Sequence, residues 1–230
     1  MYGKFFKRVI DFTLSLIALL VLSPILIILA VIGAFAMGGN PFFVQPRPGK
    51  KGKDGRERIF KLVKFRTMSN KRDAEGNLLP DGVRLNAYGR FLRSTSLDEL
   101  PELLNILVGD MAIVGPRPQL VRDMVFMTEE QRRRHNVRPG LTGLAQCSGR
   151  NAMTWEKKFE YDLIYIDRIT LWFDIKIILK TVVKVFAREG ITEEGKATAA
   201  DLGDYLLDEG AVTKEEYDAR QAEARELLGV

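Results

Sequence analysis

The sequence predicts an α+β fold, mostly helical, with an N-terminal re-entrant membrane helix–break–helix and amphipathic interfacial helices around a small cytosolic domain with short strands. Three observations predict it. An apolar run without a charged residue extends from residue 12 to residue 37. Basic residues lie on both sides of that run. The remainder alternates helical apolar spacing with short period-two stretches.

The apolar run contains Ser23-Pro24 near its middle. Proline removes a backbone donor and kinks a helix, and the serine hydroxyl can bond back to a freed carbonyl. Each arm would measure roughly 16 to 21 Å and reach about the midplane of a hydrocarbon core. The run is too long for a secretory signal. A re-entrant hairpin is therefore favoured, with a kinked membrane span and a buried soluble helix as alternatives.

The flanking charge supports the hairpin. Lysine and arginine crowd both ends of the run, and a straight crossing would place one basic cluster outside the cell. A hairpin keeps both clusters in the cytoplasm, near anionic lipid head groups. The residues concerned are Lys4, Lys7 and Arg8 before the run and Arg47, Lys50, Lys51, Lys53, Arg56 and Arg58 after it. One cysteine among 230 residues fits a reducing compartment and excludes an internal disulfide or a cysteine-rich zinc site.

The segments after the hairpin follow in order. Residues 42–68 read as short extended pieces, in which Lys64 and Arg66 share one strand face. A polar surface loop covers 69–87, helical spacing covers 88–109, and a short strand is expected at 111–114. Another helix is expected near 119–136, followed by a glycine-rich loop. Helices are expected over 154–168 and 171–189, the second either interfacial or facing the core.

Three regions are predicted: the membrane hairpin at 1–40, a central domain at 41–190, and an alanine- and glutamate-rich helical appendage at 191–230. In the appendage, Thr213 and Glu216 form a capping box before a helix that ends at Gly229. The chain contains no Walker loop and no G-x-G-x-x-G. Its basic residues do not alternate with aromatic residues, so nucleic acid is not an expected partner.

Adjacent carboxylates at Asp98 and Glu99 are the strongest candidates for chemistry. Ser96 and Glu99 also match a capping box, so a structural role is the alternative. An ionised aspartate is a competent nucleophile, and carboxylates hold Mg²⁺ beside phosphates. Arg117 lies between two prolines, which bias it to an extended conformation suited to bidentate phosphate binding. Together with the acidic pair, the cations indicate a diphosphate site; they are Lys64, Arg66, Arg90, Arg93, Arg117, Arg138 and Arg150.

These motifs resemble a known family. KRVID, SP, KFRTM, SLDELPELLNILVGDMAIVGPRP, VRPGLTGLAQ and WEKKFEYD, in this order, look like the bacterial sugar transferases, the monotopic phosphoglycosyl transferases that act on polyprenyl phosphate. The resemblance covers about residues 1 to 190 and is closest to the minimal members. It implies an enzyme at the cytoplasmic face of the bacterial inner membrane, with membrane lipids around a re-entrant helix that breaks at Ser23-Pro24.

The resemblance also implies the chemistry. Sugar-1-phosphate, from a UDP-sugar that is an N-acetylated hexose, would pass to undecaprenyl phosphate with release of UMP. Asp98 would be the nucleophile of the Asp98–Glu99 dyad, with Mg²⁺ beside it, and would carry a covalent phosphosugar. Lys64, Arg93 and Arg117 match the basic positions of the family. Asp174 also matches a family position, without a role that the sequence specifies.

Two matters stay open at this level. The appendage resembles a short helical hairpin found on many bacterial proteins, and homo-oligomers formed through it are one interpretation. A catalytically inactive scaffold that binds anionic lipid would use the same hairpin and basic flanks. Such a scaffold would have no need for the acidic pair Asp98 and Glu99, or for Arg117 between its prolines.

Overall fold

The computed structural model describes residues 2–149, 153–187 and 201–229. Within them the protein is mostly helical, and its strands form two sheets of two strands each. This agrees with the predicted α+β class. The first helix is long and apolar enough to cross a membrane by length and composition. Its predicted re-entrant path stays a prediction.

Helix α1 (Lys7–Met37) follows a π-helical turn at Tyr2–Phe6 and contains Pro24. The structure thus shows one continuous helix where the sequence predicts two helices and a break. Proline at this position lacks the N–H that would bond the carbonyl of Leu20, four residues earlier. The hydroxyl of Ser23 donates to that carbonyl at 2.8 Å, so the acceptor is satisfied and the helix continues.

Both ends of α1 rest on the same domain. Near the beginning, the ammonium of Lys7 donates to the buried carboxylate of Asp174 at 2.6 Å. Near the end, the hydroxyl of Tyr88 donates to the carbonyl of Leu29 at 2.7 Å. Between these points, apolar side chains of α1 join two hydrophobic clusters of the domain. The helix therefore lies along the domain instead of projecting from it.

The other face of α1 is apolar and uncovered. Only 11 % of its most apolar stretch is buried. Large side chains such as Leu20, Val21, Ile27 and Phe35 point away from the domain and are more than half exposed. An exposed apolar surface of this length is what a lipid environment accommodates and water does not.

The strands form a long hairpin and a short parallel pair. Strands β1 (Phe42–Lys51) and β2 (Glu57–Phe65) are antiparallel, with Phe43 opposite Lys64. Strand β3 (Ala112–Val114) confirms the predicted strand and pairs in parallel with β4 (Gly140–Thr142). The second pair was not expected, because β4 lies in a segment that reads as a glycine-rich loop.

The central helices are shorter than the periodicity predicts. The helix predicted over 88–109 is divided at Ser96 and Pro101, and the helix predicted near 119–136 is divided as well. The helices are α2 (Asp81–Arg84), α3 (Ala87–Thr95), α4 (Glu102–Val108), α5 (Val121–Met124), α6 (Glu129–Arg132), α7 (Leu144–Ser148), α8 (Trp155–Asp167) and α9 (Leu171–Ala187), with 3-10 turns at Leu97–Glu99 and Arg133–Asn136.

Helix α9 faces both the core and the exterior. Ile177 is buried in the cluster that also contains Tyr165, whereas Trp172 is 79 % exposed. Its first turn holds Asp174, whose carboxylate accepts hydrogen bonds from Lys7 and from the hydroxyls of Tyr2 and Tyr165. Asp174 therefore joins α9 to the beginning of α1, which is a structural role for this residue.

The C-terminal appendage packs on its own chain. Helices α10 (Leu202–Asp208) and α11 (Lys214–Leu228) contribute the buried side chains Leu202 and Ala224 to a hydrophobic cluster with α5 and α8. The amide of Leu202 donates to the buried carboxylate of Asp123 at 2.9 Å. Thr213 caps α11, because its hydroxyl accepts from the amide of Glu216; this is one of the two bonds of the predicted capping box.

Candidate active site

Asp98 lies in the 3-10 turn between α3 and α4. Ser96, just before the turn, has a φ of 55° and is the non-glycine residue with positive φ among those described. Such a conformation is sparsely populated and is held by its surroundings. Ser96 makes no side-chain cap, so the capping-box interpretation does not hold. The chain changes direction at Ser96, and Pro101 restricts the backbone at the beginning of α4. Asp98 and Glu99 therefore lie between two short helices instead of inside one long helix.

Glu99 is held by two cations. Its Oε1 accepts from Lys64 Nζ at 3.0 Å and from Arg117 Nη2 at 2.8 Å. Burial opposes a charge on this carboxyl, but the attraction of Arg117 and Lys64 outweighs burial and holds the pKa of Glu99 well below its usual range. Glu99 in turn raises the pKa of Arg117. Glu99 is therefore a permanently charged anchor for the two predicted phosphate-binding cations.

Asp98 is arranged differently. Among the residues that the structure describes, its carboxylate forms no hydrogen bond and no ion pair, although it is only partly exposed. Burial and the neighbouring charge of Glu99 raise the pKa of Asp98 to about 6, with Lys64 acting in the opposite direction. At neutral pH the group is ionised and has its oxygen atoms available. Glu99 is paired and Asp98 is not, so Glu99 is suited to hold the cations and Asp98 is suited to react.

Glu102 is a third carboxylate at the site, and it was not predicted from the sequence. Its Oε1 lies 2.9 Å from Lys64 Nζ, so one ammonium bridges Glu99 and Glu102. Burial raises the pKa of Glu102 to about 7, against the opposing pull of Lys64. The available signal was its place within the apolar segment LPELL, where a charged side chain needs a buried partner.

The backbone around the site is fixed by polar side chains. The amide group of Asn105 on α4 accepts from Val63 N–H at 3.1 Å and donates to the Lys61 carbonyl at 2.8 Å. These bonds hold strand β2 against α4, the helix that follows the dyad, and thereby fix the position of Lys64. Asn105 is almost fully buried, so these bonds are shielded from water.

Two arginines fix the loop that carries Arg117. Arg134 donates to the Arg117 carbonyl at 2.6 Å, and Arg47 donates to the Pro118 carbonyl at 3.1 Å. Arg134 is itself neutralised by the buried Asp162 at 2.7 Å. The flanking prolines and these two bonds together hold the Arg117 backbone in place.

The other predicted phosphate-binding residues are distributed more widely. Arg93 donates to the Thr67 hydroxyl at 3.1 Å and contributes to the charge around Asp98. Arg66 follows the end of β2. Arg138 is not brought to the dyad: it donates to the Gly109 carbonyl at 2.6 Å, beside the turn of the β-hairpin. Arg150 lies outside the described residues.

Comparison with known proteins identifies the family. The family model described as bacterial sugar transferase matches residues 2–188 of the chain. The uncharacterized sugar transferase EpsL of Bacillus subtilis is 48% identical over 193 residues, which are 84% of this chain and 93% of that protein. The chain belongs to the bacterial sugar transferase family. The family match ends before α10 and α11, so the appendage lies beyond it.

Other members of the bacterial sugar transferase family carry activities in their names. UDP-glucose:undecaprenyl-phosphate glucose-1-phosphate transferase of Klebsiella pneumoniae is 40% identical over 191 residues, 79% of this chain and 40% of that protein. Undecaprenyl-phosphate galactose phosphotransferase of Salmonella typhimurium is 35% identical over 205 residues, 82% of this chain and 42% of that protein. The chain therefore spans about two fifths of the length of these two relatives.

The Mg²⁺ that the sequence predicts would find one unpaired carboxylate, that of Asp98, in the dyad of this family member. The described residues contain no cluster of three or more metal-ligating side chains. Mg²⁺ needs none, since it binds through one or two carboxylates together with waters and substrate phosphates. Asp98 fits this role, because its carboxylate forms no hydrogen bond and no ion pair within the described residues.

Proposed function

We propose that the protein transfers a sugar-1-phosphate from a UDP-sugar to undecaprenyl phosphate and releases UMP. The activities named for its relatives support the donor and acceptor classes. The observation that carries the proposal is the unpaired, partly buried carboxylate of Asp98 beside the doubly paired carboxylate of Glu99. A lipid-binding scaffold would gain nothing from that difference.

Asp98 is the proposed nucleophile. A carboxylate oxygen attacks the phosphorus that bears the sugar, a bond forms between them, and the bond from that phosphorus to the bridging diphosphate oxygen breaks. UMP leaves with the electron pair. An ionised oxygen of undecaprenyl phosphate then attacks the same phosphorus and displaces Asp98, which returns to its carboxylate form. No proton needs to be supplied in either step.

The cations around Glu99 have a positioning role in this scheme. Arg117 offers a planar guanidinium from a loop whose backbone is fixed, and 43 % of its side chain is exposed toward an incoming group. Lys64 is more enclosed and neutralises Glu99 and Glu102. Pre-organised positive charge lowers the barrier when charge develops on the leaving phosphate. Mg²⁺, bound by Asp98 and the donor, would neutralise the diphosphate.

We further propose that α1 is re-entrant and that the active site lies at the cytoplasmic face of the bacterial inner membrane. Contacts of both Lys7 and Leu29 with one domain support this, because they hold both ends of α1 on the side of the membrane that the domain occupies. On this proposal the helix, continuous in hydrogen bonding, bends within the bilayer at Pro24 instead of crossing it. Basic residues flank both ends of the apolar run. The acceptor lipid would then meet the dyad at the membrane surface.

The donor is proposed as a UDP-hexose. The named relatives use glucose and galactose, and the N-acetylated hexose suggested by the sequence is a prediction for the same test. Purified protein with Mg²⁺ is given a panel of UDP-sugars, with and without undecaprenyl phosphate, and UMP is measured. We expect UMP with at least one donor, and turnover only with the lipid phosphate. No UMP from any UDP-sugar would reject the transferase and favour the scaffold.

A further inference from the structure

The turn end of the β-hairpin forms a cavity of ≈ 260 Å³ that the proposed reaction does not use. We call it the hairpin cavity. Its charged lining residues come from the hairpin and from the loops after α4 and before β4; they are Lys50, Lys51, Lys53, Arg58, Asp110 and Arg138. Lys64 and Arg58 lie on one strand, and six residues of strand separate them by about 20 Å. The cavity is therefore distinct from the dyad.

The charge of the hairpin cavity is unbalanced. Five cations line it and Asp110 is the single carboxylate among its lining residues. In the part of the chain that the structure describes, none of those five cations forms an ion pair. The cations at the dyad are different, since Lys64 and Arg117 both pair with Glu99. A concave surface with unpaired cations attracts an anion.

The hairpin cavity adjoins the beginning of the membrane helix. Gly109, one of its lining residues, lies against the guanidinium of Arg8, the second residue of α1. Arg8 also donates to the carbonyls of Ile106 and Leu107 at the end of α4. Val108, in the same turn, is an apolar side chain that is 71 % exposed. Cations and exposed apolar surface thus meet where the apolar run begins.

We propose that the hairpin cavity binds a phosphate group, and that the phosphate belongs to the head group of an anionic phospholipid. Phosphate is the anion that clustered lysine and arginine side chains bind best. The neighbouring apolar run and Val108 place the cavity beside a surface suited to acyl chains. A soluble phosphate, such as UMP or inorganic phosphate, has the same chemistry and is the alternative source.

The test uses the full chain in nanodiscs of an equimolar mixture of phosphatidylglycerol and phosphatidylcholine. Lipids that remain bound after transfer to neutral detergent are counted by native mass spectrometry. A cation at an anionic lipid surface contributes roughly a fivefold gain in affinity. We therefore expect the K50Q/K51Q/K53Q variant to lose at least about fivefold in the ratio of phosphatidylglycerol to phosphatidylcholine. The matched control K71Q/K157Q/K214Q removes three exposed lysines that lie outside the hairpin and outside α9, and it should keep the ratio.

Inorganic phosphate and UMP are titrated into the same proteins by calorimetry in neutral detergent, and no UDP-sugar is present, so the outcome is independent of turnover. The wild type could bind phosphate or UMP, and the hairpin variant lose that binding, while the wild type shows no preference for phosphatidylglycerol. This result would support an anion site in the hairpin cavity but overturn the proposal that its phosphate comes from a lipid. Two results would overturn the site itself. One is an equal loss of phosphatidylglycerol preference in both triple variants; the other is a wild type with neither a lipid preference nor phosphate binding. Arg58→Gln serves as a single substitution if the triple variant fails to fold.

Discussion

The ammonium of Lys64 lies 3.0 Å from Glu99 Oε1 and neutralises it from within the β-hairpin. Arg117 meets the same oxygen from a separate loop. Because Glu99 occupies both cations, the adjacent Asp98 keeps a carboxylate without a partner in the described protein. One residue of the dyad therefore organises positive charge, and the other is available for reaction.

Asp98→Asn should abolish transfer. The amide has nearly the shape of the carboxylate but no nucleophilic oxygen, so we expect at least about a 1,000-fold loss of turnover. UMP release measures the rate, and intact mass after incubation with donor alone detects the covalent phosphosugar. Glu75→Gln, on an exposed loop, is the matched control and should retain both. A full adduct on the Asp98→Asn protein would assign the nucleophile elsewhere.

Lys64→Met should destabilise the fold as well as the reaction. Lys64 pairs with both Glu99 and the buried Glu102, so the substitution removes one of two counter-ions from Glu99 and forces Glu102 to be buried without one, in its protonated form. We expect a loss of about 3 kcal/mol in the free energy of unfolding. The thermal midpoint in detergent measures it. Adding Glu102→Gln should recover part of the loss, and a double variant as unstable as Lys64→Met alone would contradict this pairing.

Ser23→Ala should weaken α1. The Leu20 carbonyl would lose its donor, because Pro24 offers no N–H, at a cost of about 1–3 kcal/mol. The thermal midpoint in nanodiscs and helical circular dichroism follow this change. The double variant with Pro24→Ala supplies a backbone donor and should recover the midpoint. A midpoint for Ser23→Ala equal to that of the wild type would show that the hydroxyl does not support the helix.

Stability should fall on acidification through His135. Burial lowers the pKa of His135 to about 4, although its hydrogen bond with Glu57 acts in the opposite direction. The unfolded chain binds this proton near the usual pKa of about 6.5, so it binds more protons than the folded chain between those values. We expect a loss of about 2 kcal/mol from pH 7 to pH 5.

The thermal midpoint as a function of pH checks the role of His135. His135→Gln keeps a donor toward Glu57 and removes the titration, so its midpoint should change less over the same interval. Below about pH 4.5 both proteins should lose further stability. Burial opposes the charge of Glu57, but the hydrogen bond with His135 and the charge of Arg132 outweigh burial and lower its pKa to about 2. Parallel pH profiles above that point would remove His135 from the explanation.

Leu202→Asp should loosen the C-terminal appendage. Leu202 is 3 % exposed, and a carboxylate in its place would be enclosed among apolar side chains. We expect faster hydrogen exchange in α5 and at Val125 just after it, whose carbonyl accepts from Arg220 of α11. Leu227→Asp is the control, because Leu227 is 47 % exposed on α11. Equal exchange in the two variants would argue that the packing of Leu202 is unimportant.

The sequence predicted the helical character, the family and one site that contains Lys64, Arg117 and the acidic pair, but not that both cations pair with Glu99. Those residues lie in long sequence motifs, in which neighbouring residues alone indicate the chemical role. Glu102 and Asn105 were not predicted, because their partners Lys64 and Val63 are distant in sequence and become neighbours only when β2 packs on α4. Arg138 was predicted to bind phosphate at the dyad on the basis of its charge alone. Charge does not determine which group an arginine contacts, and Arg138 instead donates to the Gly109 carbonyl.

The periodicity also predicted a longer helix than exists around the dyad. Leucine spacing over 88–109 continues across Ser96 and Pro101, whereas the backbone reverses at Ser96. In α1 the reverse occurred: Pro24 predicted a break, but the Ser23 hydroxyl satisfies the one carbonyl that proline leaves free. In both places, the backbone conformation or hydrogen bond of one residue decides where the helix ends, against the prediction from the surrounding sequence.

The contacts of α1 near both Lys7 and Leu29 also affect how the protein responds to bilayer thickness. A free membrane helix absorbs hydrophobic mismatch by tilting. A helix joined at two separated points to a folded domain has no independent tilt, so a thinner or thicker membrane must rotate the whole molecule or deform the surrounding lipid. In the proposed membrane arrangement, the elastic state of the bilayer would thereby be coupled to the height of Asp98 above it.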